Sequence, residues 1–285
     1  MGMKKNNIIL NFLAYIVLLG AVIITLFPIV YAFLGSLKTN AEIMAEPAKL
    51  FPSKITLENY KLTFGNAQIG FTRAFFNSVI YTGITVFANV MVSLMAGYVY
   101  ARGDFKGKKL VFGVFSAMMF VNFGTITVHG TFKILSLIHM NQNLWGLIIF
   151  KCFALNIGSV YIVRGFVEGI PKAVDESAML DGCSFARIFF KIVLPLLKPV
   201  IATLAILSFN SGWNDYLLPS IFTLTRPDQR TLTVLIMSMR NAGDAATNWN
   251  QMLSGACIAM LPTLIMYAFA NKHFVKGLSA GAVKG

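Results

Sequence analysis

Charge is scarce in this sequence. Of 285 residues only 12% are Asp, Glu, Lys or Arg, against 56% hydrophobic residues. A soluble single domain does not need that much apolar surface, so the class is a polytopic membrane protein. Acidic residues are fewest, 11 against 24 basic ones, leaving a formal net charge of +13. The three cysteines, Cys152, Cys183 and Cys257, lie far apart in or beside apolar stretches. With no CxxC or Cys/His ligand spacing they read as packing residues, not as a disulfide or metal framework. The three histidines, His129, His139 and His273, form no HExxH-like pair, so no metal site is expected. No GxxxxGK[ST] phosphate loop is found: Gly107-Lys108-Lys109 has no loop before it and no Ser or Thr after it. A chain without that loop does not drive anything with ATP by itself. No cluster of His, Cys or carboxylates at catalytic spacing falls in the apolar runs, which argues against a membrane enzyme.

What the sequence does have is long apolar runs. Six spans are expected, at about 8–34, 73–100, 110–130, 144–163, 200–222 and 251–274, in a single transmembrane domain over 1–285. The first follows Lys4 and Lys5. It is too long for the apolar core of a signal peptide and lacks a small-x-small cleavage site, so it should remain as a spanning helix, kinked at Pro28. Residues 38–70 are polar, with Pro47, Pro52 and three Glu residues, and read as an outer loop with short helical pieces. The second span carries Asn77, Ser78, Thr82, Thr85, Asn89 and Ser93, which suit helix–helix contacts in lipid or a water-lined path. In the fourth span, Gly158 within Asn156-Ile157-Gly158-Ser159 could make a bend. Residues 223–250 form a second outer segment, and Pro262 bends the last span.

Orientation follows from the basic residues. With the amino end inside, fourteen of the 24 Lys and Arg residues fall in inner segments, among them Arg102, Lys106, Lys108, Lys109, Lys172 and Arg187. Nine fall outside, mostly in longer loops where the rule is weak, and Lys151 falls in the membrane. Both termini are then cytoplasmic, and topology explains the basic excess without nucleic acid.

The stretch from Pro171 to Pro199 stands apart. It lies between two apolar runs yet carries Lys172, Asp175, Glu176, Asp181, Arg187 and Lys191, a charge density that hydrocarbon does not accept. Ala173, Ala178, Met179 and Leu180 favour helix, and Gly182 permits a left-handed turn. From Ser184 a second helical run places Phe185, Ile188, Phe189 and Ile192 on one side, and Pro195 is expected to stop it. This amphipathic knob either packs on the chain's own end or docks to a separate soluble subunit.

The residues here resemble the EAA loop of bacterial ABC importer permeases: Glu176-Ser177-Ala178, then Asp181-Gly182, then Ile192-Val193-Leu194-Pro195. Ser177 replaces the usual middle Ala, a small-for-small change. The resemblance implies that the loop is a coupling helix seated in a cleft of a cytoplasmic ATPase. Glu176, Ala178, Asp181, Gly182, Leu194 and Pro195 would be its coupling residues. The end of the chain, Gly277-Leu278 followed by Ala280-Gly281-Ala282-Val283-Lys284-Gly285, resembles the tail of the second permease in carbohydrate importers of the maltose type. It implies contact of Gly277, Ala280, Gly281 and Lys284 with the ATPase dimer; by composition alone the tail reads as a frayed terminus. AGYVYAR, ending at Arg102, resembles the same family's A-Y-A-x-A-R.

Ser208-Phe209-Asn210 and Trp213-Asn214-Asp215-Tyr216-Leu217-Leu218-Pro219 resemble the family's W-N-x-[FY]-L-x-P stretch. Trp faces and Asn amides suit a sugar, so Asn210, Trp213, Asn214 and Asp215 are candidates for the substrate path; an interfacial aromatic belt is the competing reading. Lys151 lies about 12 Å into the fourth span at 1.5 Å per residue. It either snorkels, pairs with Asp215 or a partner's carboxylate, or meets a negatively charged sugar such as a uronate.

The resemblance as a whole implies an all-α permease subunit of a type I ABC importer in the bacterial cytoplasmic (inner) membrane. Its partners would be a second homologous permease, two ATPase subunits carrying ATP and Mg, an extracytoplasmic solute-binding protein, a carbohydrate that is neutral or acidic, and membrane lipid. No cofactor is expected on this chain. The alternatives are the same machinery for glycerol phosphate or another small polar solute, and a secondary transporter, which would show an inverted repeat that this sequence does not display.

Overall fold

The computed structural model describes residues 3–65, 70–121, 124–240 and 248–282. Among the described residues all regular structure is helical. In order these are α1 (Met3–Ser36), α2 (Asn40–Ala45), α3 (Glu58–Gly65), α4 (Phe71–Arg102), α5 (Lys108–Met118), α6 (Thr125–Leu137), α7 (Leu144–Phe153), α8 (Ile157–Glu168), α9 (Lys172–Leu180) and α10 (Phe185–Ile188). After a π-helical stretch (Phe189–Val193) come α11 (Leu194–Leu196), α12 (Lys198–Trp213), α13 (Leu217–Phe222), α14 (Leu232–Arg240) and α15 (Trp249–Ala282). Among the described residues four stretches are long and apolar enough to cross a membrane: Leu10–Ser36, Phe71–Arg102, Leu144–Glu168 and Trp249–Phe269. A fifth crossing results if Phe185–Leu196 and Lys198–Trp213, bent by 80°, count as one.

Several expected spans differ in detail. The third, expected over 110–130, is two pieces, α5 and α6. At 1.5 Å per residue they reach only about 17 and 20 Å, short of a hydrocarbon core. Gly124 heads α6 with φ 47°, a left-handed conformation that interrupts the helical path. The fourth breaks at Ala154, whose extended backbone ends α7. The Asn156 side chain then accepts the Ser159 N–H at 3.0 Å and starts α8. The bend therefore belongs to Asn156 rather than to Gly158. The fifth stops at Trp213, and Pro219, which has no N–H to continue the ladder, lies in the separate α13.

The chain divides into two compact units, one formed by Met1–Phe71 and Ile236–Leu261, the other by Thr72–Leu235 and Pro262–Gly285. In the first, every side chain from Leu10 to Val30 is exposed; a helix apolar on all sides faces lipid or another subunit. The segment after it is sewn by Asn59. Its amide donates to the Ser36 and Lys38 carbonyls at 2.6 and 2.8 Å, and it accepts from the Asn250 amide at 2.7 Å. Glu42 accepts from both the N–H and the hydroxyl of Ser53, and these bonds hold its carboxyl below the usual carboxylate range. With the folded value depressed, this contribution is present above the ordinary carboxylate value and lost as pH falls through the folded one.

The second unit has its main core where α4, α8, α10, the π-stretch and α12 meet, around Leu94, Tyr98, Val163, Ile188, Val193 and Leu204. Gly97 allows α4 to approach α8, because a Cβ there would lie 2.5 Å from the Val163 side chain.

Candidate functional site

The knob expected from the sequence is present. α9 ends at Leu180 with Asp181 as its C-cap, and Gly182 follows at φ 78°. The Gly182 N–H donates to Met179 O and the Cys183 N–H to Ala178 O, both at 3.0 Å. That pair of bonds is the Schellman cap, which requires the left-handed residue that glycine supplies without strain. Cys183 packs in the same core as the buried Ala178. Ser184 then caps α10 by accepting the Arg187 N–H at 3.4 Å.

Pro195 does not stop the second run. The Leu194 N–H reaches five residues back to Phe189 O, a π-turn immediately before the residue that lacks an N–H. The run continues to Leu196 and the chain turns at the buried Leu197. Most of the expected apolar stripe faces inward: Ile188 and Phe189 are buried and Ile192 packs beside them, while Phe185 is exposed on one side and lays its ring centre 4.6 Å from that of Tyr98. The surface left outward carries Glu176, Met179, Leu180 and Asp181, with Leu180 90% exposed.

What fixes α9 is a residue that the sequence reading passed over. Asp175 is 4% exposed. Its carboxylate accepts from Arg102 Nε at 2.9 Å and from the Tyr98 hydroxyl at 3.1 Å, while Arg102 also donates to Ile170 O at 2.5 Å. The ion pair ties the first turn of α9 to the end of α4. Its neighbour Glu176 is exposed and, among the described residues, makes no side-chain hydrogen bond or ion pair. A signal existed in the sequence: Asp175 and Ala178 lie three apart, so they share the face that packs inward.

The second feature is a cavity of about 440 Å³ between α4, α7, α8 and α12. Its polar lining is Thr85 and Asn89 from α4, Lys151 from α7, Asn156 and Ser159 at the start of α8, and Ser208 and Ser211 from α12. Among the described residues Lys151 is its only charged lining residue. Its ammonium lies 2.5 Å from Asp215 Oδ2 and 5.3 Å from the centre of the Tyr81 ring, and the Tyr81 hydroxyl donates to the same oxygen at 2.6 Å. The charge that the fourth span carries into the membrane is thus met within the chain.

Of the other expected path residues, Asn210 and Asn214 are exposed and hydrogen-bonded to each other, Asn214 Nδ2 lying 3.0 Å from Asn210 Oδ1. Neither lines the cavity. Trp213 lies on another face of α12, stacked on Phe209 at 5.6 Å and edge-on to Phe75, where it helps line a separate apolar cavity of about 500 Å³. At the carboxyl end, Gly277, Ala280 and Gly281 belong to α15, which continues as helix to Ala282; Lys284 lies outside the described residues. Among the described residues no group of three or more His, Cys, Asp and Glu side chains could hold a metal.

Long apolar helices, a polar cavity lined from α4, α7, α8 and α12 and a charged helix–turn–helix knob tied to the end of α4 fit a multi-pass membrane transport component. The chain belongs to the family of binding-protein-dependent transport system inner membrane components, which matches it over residues 63–278. It is 32% identical over 262 residues to the arabinooligosaccharides transport system permease protein AraQ of Bacillus subtilis (strain 168), covering 91% of each chain. It is 31% identical over 258 residues to the probable starch degradation products transport system permease protein AmyC of Thermoanaerobacterium thermosulfurigenes, covering 90% of this chain and 91% of that one. The fold matches a chain in the crystal structure of a bacterial ABC transporter involved in the import of the acidic polysaccharide alginate. The TM-score is 0.82 and the identity 22%, over 95% of this chain and 98% of the other.

Proposed function

We propose that this chain is one of two permease subunits forming the path of an ATP-driven, binding-protein-dependent importer of sugars or oligosaccharides. The knob formed by α9, Gly182 and α10 docks to a separate ATPase on the cytoplasmic side, where both termini lie. ATP and Mg bind to that ATPase and not to this chain. An extracytoplasmic binding protein delivers the solute to the opposite side, and closure of the ATPase dimer moves the knob and opens the path outward.

The observation that carries this reading is the pairing of outward and inward chemistry on α9. Asp175 and Ala178 fix the helix to the rest of the chain, while Glu176, Met179, Leu180 and Asp181 are left to a partner. Gly182 sets the angle between the two short helices, and Leu194 and Pro195 carry the chain from the π-turn into the membrane. Gly277, Ala280 and Gly281 of α15, together with Lys284, which lies outside the described residues, form a second contact with the ATPase in this reading. The names of the similar permeases and the amides and hydroxyls of the cavity support a sugar as the solute. Lys151 lines the cavity and holds Asp215 beside it, whereas Asn210 and Asn214, exposed outside the cavity, are left to contact solute elsewhere along the path, and Trp213 serves packing against Phe209 and Phe75.

Gly182 offers a direct test. A Cβ built on Gly182 would meet nothing within 4 Å, so a substitution there acts chiefly through the backbone. Gly182→Val places a β-branched residue at positive φ, at a cost of about 1–3 kcal/mol; Gly182→Asn tolerates the left-handed region. In proteoliposomes holding the complete importer, the Val variant is expected to hydrolyse ATP with little uptake, and the Asn variant to keep most of its coupling. Equal coupling in both would remove the turn from the mechanism.

A further inference from the structure

The cavity carries a hydrogen-bonding inventory and a charge balance that together select its ligand. Asn89 uses its Oδ1 on the Ser208 hydroxyl at 3.1 Å, and Asn156 uses its Oδ1 on the Ser159 N–H at 3.0 Å. Both amides therefore keep their NH2 groups, and among the described residues neither NH2 has a partner. Ser211 and Ser159 line the same space, and their hydroxyls likewise have no hydrogen bond among the described residues. These are donors and hydroxyls without charge, the complement of sugar hydroxyl oxygens. Lys151, the one charged lining residue among the described residues, is already joined to Asp215, which Tyr81 holds from the other side.

We propose that the Lys151–Asp215 pair neutralises the cavity toward its ligand, so that the site takes an uncharged stretch of oligosaccharide and disfavours a uronate. This rests on the reading of the chain as half of a sugar path. A ligand carboxylate reaching Lys151 has to displace Asp215, whose own charge is then left without its counterion beside the incoming one. With the two side chains only 24 and 13% exposed, that arrangement is unfavourable. A neutral sugar leaves the pair closed and uses the free amides and hydroxyls. Acidic solutes, one of the options that Lys151 raises in the sequence, are selected against by the contact that the lysine actually makes.

The solute-binding protein filters solutes before they reach the permease, so the test omits it. The purified complex of permeases and ATPase in nanodiscs is titrated with maltotriose, arabinotriose and galactotriose, and with triglucuronate and trigalacturonate as matched carboxylated skeletons. The wild type is expected to bind at least one neutral probe about tenfold or more tighter than its acidic counterpart. Asp215→Asn frees the lysine charge and is expected to move that ratio about tenfold toward the acid. Lys151→Gln combined with Asp215→Asn restores an uncharged edge and is expected to restore the neutral preference, which separates charge from misfolding. Equal or tighter wild-type binding of the acidic probe, or a ratio unmoved by Asp215→Asn, overturns the charge assignment while leaving the sugar reading intact. Binding of no sugar from either set overturns the sugar reading and this proposal with it.

Discussion

Asp175→Asn is expected to separate ATP hydrolysis from uptake. The substitution keeps the size of the side chain but removes the counter-charge of Arg102, and both partners are buried, at 6 and 7% side-chain exposure. Removing one member of a buried ion pair costs about 3–5 kcal/mol, because the remaining charge is stranded. The strain falls on the junction of α4 and α9, since Arg102 is the last residue of α4 and Asp175 lies in the first turn of α9. On the proposed function, a knob no longer fixed to α4 is expected still to dock through Met179 and Leu180 but not to pull the long helix. Uptake in proteoliposomes is expected to fall by about tenfold or more, since each 1.4 kcal/mol is a factor of ten, while ATPase activity persists. Arg102→Met combined with Asp175→Asn removes both charges and is expected to recover part of the loss; a double variant as poor as the sum of the singles would show that the two residues act separately.

Gly97→Val is the second large effect, and its cause is steric. A Cβ at Gly97 meets Val163 Cβ and Cγ1 at 2.5 Å and the Arg164 backbone nitrogen at 3.1 Å. Side chains can rotate away from such a contact, but a helix backbone cannot. Overpacking of this kind costs about 1–3 kcal/mol, and here it wedges apart the two helices that frame the core around Leu94, Tyr98 and Val167. The purified transporter is expected to unfold several degrees lower, by about 2–4 °C per kcal/mol for a domain of this size. Gly97→Ala should show a smaller shift, and Val163→Ala added to Gly97→Val should return part of it by removing Cγ1. An unchanged midpoint would mean that the α4–α8 approach is not tight.

Much of this architecture was legible in the residues. The apolar runs gave the helices around 8–34, 73–100 and 251–274, and the alternation of charge with Ala178, Gly182 and Ser184 gave the knob and its turn. What was less legible has a common cause. Helix breaks in apolar segments come from backbone satisfaction, which composition does not display. Gly124 turns left-handed, Asn156 caps from inside an apolar run, and the π-turn before Pro195 hides a proline inside a continuing helix. The stripe of Ile188 and Phe189 was visible, but its direction was not, because an amphipathic face says that burial occurs and not against what. Asp175 was masked by Glu176 beside it, since the motif directs attention to the exposed acid and the anchor is the buried one. Lys151 and Asp215 were individually conspicuous as charges in apolar surroundings, and pairing was one of the outcomes open to them. Trp213 looked like a sugar platform, yet its ring is spent on Phe209 and Phe75.

The central claim is that the outward surface of α9 is gripped by an ATPase that this polypeptide lacks. Leu180→Cys, in a chain whose Cys152, Cys183 and Cys257 are replaced, places a reactive thiol on the most exposed apolar side chain of that surface. Cross-linking in native membranes, followed by identification of the linked polypeptide, tests the contact in place. The account predicts a link to a nucleotide-binding subunit whose yield changes when ATP is added. A thiol that reacts only with a membrane-impermeant reagent added from the extracytoplasmic side, and never with an ATPase, would contradict it.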